Sequence, residues 1–133
     1  MTLGGSQELD DLDQLFEVLS NRERRRILYY LREHGTATRR ELVDVLAGWA
    51  ATDREHAATT PDDWSQLATA VHHVHLPKLV DTELVAFDPE TGIVRLGTLS
   101  PWIDRCLDAA FQSEQALATA RGQPTNFLSE ELD

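Results

Sequence analysis

The 133-residue chain has one cysteine, Cys106, one lysine, Lys78, and no apolar run near the length of about 18 residues that a membrane-spanning helix needs. A single cysteine excludes an intrachain disulfide and any cysteine-rich zinc module. With no apolar run and no charged-then-apolar leader, the chain reads as soluble, not exported and cytoplasmic. A Gly-rich phosphate loop, a nucleophile elbow and an HExxH helix are also missing, and the carboxylates stand at no spacing that pairs an acid with a base. The sequence therefore predicts a protein that is not an enzyme and takes no cofactor.

What the chain does have is charge of one sign. There are 23 acidic residues against 12 basic ones, for a net charge of −11, and all the basic residues but Lys78 are arginine. Such a surface keeps a protein hydrated and soluble in concentrated salt, where repulsion between carboxylates is screened to a few ångströms. It predicts a halophilic cytoplasm; the plainer alternative is an acidic mesophilic domain, because an excess of Arg over Lys also follows from GC-rich coding. The charge is unevenly placed. Residues 1–21 hold acids and no base, whereas residues 22–40 hold Arg22, Arg24, Arg25, Arg26, Arg32, Arg39 and Arg40 against Glu23 and Glu33.

Periodicity predicts helices first. In "ELDDLDQLFEVL", Leu9, Leu12, Leu15, Phe16 and Leu19 fall on one stripe. "SNRERRRILYYLREHG" follows, with Ser20 and Glu23 at capping-box spacing, an apolar set of Ile27, Leu28 and Leu31, and Gly35 at the expected stop. Thr38 and Glu41 repeat the capping spacing ahead of a third helix that should bury Leu42, Val45, Leu46 and Trp49. Thr60 and Pro61 suit the N-cap and first turn of a fourth helix reaching Thr82. Two β-prone runs then flank Asp88-Pro89-Glu90-Thr91-Gly92, a hairpin in which Gly92 can take positive φ. Ser100 and Pro101 open a last helix. The fold class predicted is mainly α with a small β-hairpin.

This order of elements is that of a winged helix-turn-helix with one helix added at each end. "HLPKLVDTELVAFDPETGIVRL" resembles the segment of ArsR-type winged-helix regulators in which the recognition helix runs into the wing, with His75, Leu76, Leu79, Leu84 and Val85 matching it directly. Together with "LSNRERRRILYYL", the pattern over about residues 10–100 is similar to an uncharacterised winged-helix family of halophilic archaea assumed to regulate transcription. The resemblance implies a flexible N-terminus over 1–7, a winged-helix domain over 8–99, a C-terminal dimerisation helix over 100–121 and a flexible tail over 122–133. Two features depart from the pattern. "GWAATDREHAATTPDD" is a long connection between the third helix and the recognition helix, and Asp88 and Glu90 at the wing tip would repel phosphates, with only Arg95 to help.

On a helical projection of the recognition helix, Trp64, Leu67, Ala68, Val71 and Leu79 form an apolar stripe that takes in His72 and His75, while His73 points the opposite way with Gln66, Thr69, Ala70 and Pro77. His72 and His75 could share a metal with Cys106 or a carboxylate; the plainer reading, adopted here, makes both imidazoles rim residues of the core, with no metal. Pro77 should kink the helix. The outward face suits a major groove. Candidate nucleic-acid contacts are Arg39, Arg40, Gln66, Thr69, His73 and Lys78, and their alternative role is a solvated face paired with nearby carboxylates. Arg22, Arg25, Arg26 and Arg32 flank the apolar stripe of the second helix and should be exposed, facing either DNA or the acidic first helix. Trp102, Ile103, Cys106, Leu107, Ala110 and Phe111 give the last helix a wide apolar face, the candidate seam of a homodimer or else a face packed on its own domain. Two functions follow from different classes: a dimeric winged-helix regulator of double-stranded DNA, or a winged-helix module that binds another protein without touching DNA.

Overall fold

The computed structural model describes residues 2–53 and 60–120, with side chains from residue 11 onward. The chain is mainly α-helical with a small antiparallel sheet: α1 (Thr2–Leu19), α2 (Arg22–His34), β1 (Thr36–Thr38), α3 (Arg39–Asp53), α4 (Pro61–Ala70), a π-helical turn (Val71–His75), α5 (Leu76–Asp81), β2 (Val85–Asp88), β3 (Ile93–Leu96) and α6 (Pro101–Ala120). α1 starts at Thr2, ahead of the expected Glu8, and runs through Gly4 and Gly5, which helix propensity alone would leave outside. The proposed tail over 122–133 lies outside the described residues.

Local chemistry sets most helix ends. At α2 the cap is Asn21, whose side chain accepts the Arg24 N–H at 3.0 Å, one residue after the predicted Ser20; the Ser20 hydroxyl instead donates back to the Glu17 carbonyl. Gly35 (φ 83°) closes α2 by donating its N–H to the Leu31 carbonyl at 2.7 Å. Capping boxes at Thr38–Glu41 and Thr60–Asp63 begin α3 and α4. α3 continues to Asp53, so residues 48–53 of the "GWAATDREHAATTPDD" stretch are helical, and α4 opens at Pro61. Asp53 holds that extension against α2 by accepting from Arg26 at 3.0 Å.

The helix ahead of Pro77 widens. The Leu76 N–H reaches back five residues to the Val71 carbonyl, so residues 71–75 form a π turn. Proline has no N–H to donate, and its ring presses on the carbonyl four residues before it, so a wider turn relieves both problems.

Sequence periodicity did not reveal β1, a three-residue strand. It pairs with β3 to give a sheet ordered β1-β3-β2, all antiparallel, with Val94 opposite Ala37 on one side and Phe87 on the other. The first residue of α3, Arg39, donates its N–H to the Gly92 carbonyl at 2.8 Å, which fastens the hairpin tip to the start of that helix.

The core gathers Ile27, Leu28 and Leu31 of α2, Leu42, Val43, Leu46 and Ala47 of α3, Val71, Leu76 and Leu79 around the π turn, Val94 of the sheet, and Leu107 of α6. On α3 it is Val43 and Ala47 that are fully buried, whereas Val45 and Trp49 are half-buried. α6 lies on α2 through Glu114, which accepts from the Tyr29 hydroxyl and from Arg25 at 2.8 Å, through Asp108, paired with Arg32 at 2.8 Å, and through the edge-to-face Tyr29–Phe111 pair. Burial and the neighbouring carboxylate push the Tyr29 hydroxyl well above its ordinary range. None of the described helices is long and apolar enough to cross a membrane.

Gly97 is a point of close approach. A Cβ there would lie 2.6 Å from the Glu83 carbonyl oxygen and 3.1 Å from that of Leu84, both of them backbone atoms. Gly97→Ala should therefore destabilise the fold by about 2 kcal/mol, because the strand end must move to admit the methyl. A urea midpoint equal to that of the wild type would contradict this.

Candidate nucleic-acid interface

Three elements converge on one open groove of about 530 Å³: the start of α3 (Thr38, Arg39, Arg40, Val43), α4 with the π turn (Trp64, Ala68, Thr69, His72, His73) and the hairpin tip (Thr91, Gly92). The capping box that starts α3 places Arg39 and Arg40 at its mouth, and the Arg39 N–H bond to Gly92 holds the hairpin tip beside them.

The outward face of α4 and the π turn stands as predicted at Gln66, Thr69 and His73, all exposed, with Ala70 half-buried between them. Gln66, Thr69, Ala70 and His73 also line a shallow second groove with Ser65 and Val74. The histidines divide differently from the prediction. His75 is buried, but His72 is exposed beside His73, outside the apolar stripe. In projection His72 sits about a quarter-turn from Val71, and with the π turn it is His75 and Leu76 that continue Val71's buried row.

Both of these imidazoles meet arginines. Arg39 donates to His72 Nδ1 at 2.6 Å and lies 5.4 Å from the centre of the Phe87 ring. Arg24, itself buried, donates from Nε to the Val18 carbonyl at 2.7 Å and from Nη2 to the Glu17 carbonyl at 3.1 Å, and its Nη1 stands 3.3 Å from His75 Nδ1. An arginine can only donate, so in both pairs the ring nitrogen accepts and the imidazole is neutral. Burial and the Arg24 charge hold the His75 pKa below its ordinary value, with Glu23 acting weakly the other way. Each histidine turns its Nδ1 to a different guanidinium, and among the described residues no group of three His, Cys, Asp or Glu side chains is placed to hold a metal.

The arginines of α2 are not a free basic face. Arg24 and Arg26 are buried, and Arg25 and Arg32 are partly so. Arg22 and Arg26 pair with Asp53, Arg24 with Glu17, Arg25 with Glu114, and Arg32 with Asp104 and Asp108. Sequence reasoning had offered DNA or the first helix as their partners, but most of the carboxylates come from α3 and α6. Of the seven arginines between residues 22 and 40, Arg39 and Arg40 alone have no carboxylate partner among the described residues. Arg40 instead lies 5.6 Å from the centre of the Trp64 ring.

Four of the six predicted contacts, Arg39, Arg40, Thr69 and His73, therefore line the groove, and Gln66 adjoins it. Lys78 does not join them; it faces α1, with Nζ 3.3 Å from Glu17. Thr38, Trp64, His72, Phe87, Thr91 and Gly92 complete the site and were not predicted for it, because the groove brings together segments tens of positions apart. The hairpin tip is acidic as expected, with Asp88 and Glu90 exposed.

The predicted dimer face is largely used within the chain. Ile103 and Leu107 are buried in the core, Trp102, Ala110 and Phe111 pack against it, and Cys106 is half-buried beside Phe16 and Leu19. The apolar width of α6 reflects its seat on α1 and α2.

A family model described as a domain of unknown function (DUF7344) matches residues 16–95, more than half of the chain. Every residue of the groove falls inside that span, and α6 falls outside it. No curated protein and no solved structure matches the chain.

Proposed function

We propose that this chain, which belongs to the DUF7344 family, is a winged-helix regulator of transcription that binds double-stranded DNA as a homodimer in a high-salt cytoplasm. The observation that carries this reading is the groove itself. In a chain of net charge −11, two arginines without carboxylate partners among the described residues stand beside the exposed Gln66, Thr69 and His73 of one helix. Helix, connection, helix, hairpin is the order in which a winged helix presents a reading helix to the major groove. Gln66 and His73 supply donors and acceptors for base edges, and Arg39 and Arg40 supply cations for phosphates. Any dimer seam lies away from Ile103 and Leu107; exposed apolar side chains occur at Leu12 and Phe16 on α1 and Leu117 on α6.

A second reading, a module that binds a protein and no DNA, draws support from the exposed Asp88 and Glu90 at the wing tip. Selection of genomic fragments by the purified protein in high salt separates the two. The regulator reading expects enrichment of a short palindrome, whose two halves report the dimer, and loss of that enrichment in His73→Ala. Protein partners without enriched DNA would sink it.

A further inference from the structure

Arg39 and Arg40 are unusual in this protein for what holds them. The other five arginines of residues 22–40 end on carboxylates. Arg39 is held by the Nδ1 of His72 at 2.6 Å and by the face of Phe87, and Arg40 by the face of Trp64. The carboxylates nearest in sequence are turned to neutral donors: Glu41 accepts the Thr38 N–H at 2.7 Å, and Asp44 accepts the Trp64 indole N–H at 2.7 Å. Both guanidinium groups are thus oriented by uncharged groups. An ion pair would orient them equally well but would neutralise them; an imidazole and an aromatic face fix direction and leave the charge in place. The hydroxyl residues Thr38, Thr69 and Thr91 line the same groove.

We infer that the groove between α3, the recognition helix and the hairpin tip is a site for an oxyanion of the phosphate class, and that His72 is its positioning residue, holding Arg39 in place with its charge unspent. The inference rests on the proposed reading of this groove as the functional surface and deepens it. Two sources can supply such a group, the backbone of a duplex and a free phosphate-bearing molecule, and the site recognises the chemistry they share. His72 acts through Arg39 and needs no contact with the ligand.

The test compares the wild type with His72→Gln and His72→Glu, all as full chains. A glutamine carbonyl accepts from Arg39 without charge; a glutamate clamps Arg39 more firmly and neutralises it. The probes are inorganic phosphate and a short DNA duplex, followed through the Nε–Hε resonances of Arg39 and Arg40, with thermal unfolding as the check on folding. Phosphate, the duplex or both should shift these resonances in the wild type and in His72→Gln. His72→Glu, although at least as stable, should bind at least about tenfold more weakly, because the nearby cation is no longer free. A purely structural role for His72 makes the opposite forecast, since the glutamate improves the clamp; equal binding by His72→Glu and the wild type overturns the inference. So does failure of both probes to move the two arginines. If the duplex binds and shifts only Gln66 and His73, the DNA reading stands and the inference falls. If phosphate shifts the arginines and no duplex binds, the inference stands and the DNA reading falls.

Discussion

Replacing Arg24 with alanine lowers the free energy of unfolding by about 3 kcal/mol, the cost of leaving buried acceptors without a donor. Arg24 is 4% exposed and serves three acceptors at once: the Val18 carbonyl, the Glu17 carbonyl and His75 Nδ1. These lie at the end of α1 and on the π turn between α4 and α5, so one side chain ties the two elements together. Removing it opens a cavity and strands polar atoms with little access to water. Its contact with the Glu17 carboxylate, 3.6 Å away, contributes little of this, because that carboxylate is half exposed. Glu17→Gln should therefore cost less than about 1 kcal/mol, and a comparable loss in both variants would show the ion pair to dominate.

The same variant changes the response to acid. His75 is held below its ordinary pKa of 6.5 by burial first and by the Arg24 charge second. The folded state therefore takes up a proton there less readily than the unfolded chain. The sign follows: this group costs nothing well above pH 6.5, and stability falls as pH drops below that value, levelling off once the folded His75 itself protonates. Deleting Arg24 removes one of the two causes, so the acid limb becomes shallower. Urea unfolding at about pH 8 and about pH 5 measures it. An equally steep limb in Arg24→Ala would show that the arginine charge does not reach the imidazole.

The second large effect concerns the groove. If it meets DNA, Arg39→Glu/Arg40→Glu weakens duplex binding by about 3 kcal/mol or more, on the order of a hundredfold, because two charge-assisted contacts are lost. Neither side chain has a carboxylate partner among the described residues, so the fold should barely notice: the unfolding midpoint stays within about 1 kcal/mol of the wild type. The salt dependence is the sharper measurement. Each phosphate neutralised contributes about −0.9 to the slope of log affinity against log salt, so two arginines in each protomer of a dimer account for a slope of roughly −3.6. Arg39→Ala and Arg40→Ala, each removing one cation from both protomers, should each reduce its magnitude by about 1.8. A shallow slope is what allows binding to survive concentrated salt, where a protein that relies on many phosphate contacts would release its site. A steep slope unchanged by either substitution would place the DNA surface elsewhere.

Features that depend on neighbours along the chain were legible in the sequence. The capping box at Thr38 and Glu41, the Thr60-Pro61 start, the Gly35 stop and the positive φ of Gly92 are set within a few residues of where they are read. Helical spacing likewise identified the exposed row of Gln66, Thr69 and His73, and hydrophobic periodicity found α6. Composition bounded the rest: one cysteine, one lysine and a net charge of −11 hold whatever the fold.

Tertiary structure decided where each charge ends. The run "RERRR" reads as a basic face, yet Arg24 and Arg26 are buried, Arg26 meets Asp53, Arg25 meets Glu114, and Arg32 beyond the run meets Asp108, across 27 to 89 positions. β1 is three residues long and exists because β3 offers it a partner; no periodicity can show over so short a span. The face on which His72 lies depends on a π turn forced by Pro77, and its partner Arg39 is 33 positions away on another helix. Local rules act through bonds and near neighbours, and so can be read from the order of residues. The pairing of ions, the sheet partner and the groove depend on which surfaces meet when the core closes, and that is determined by the whole chain.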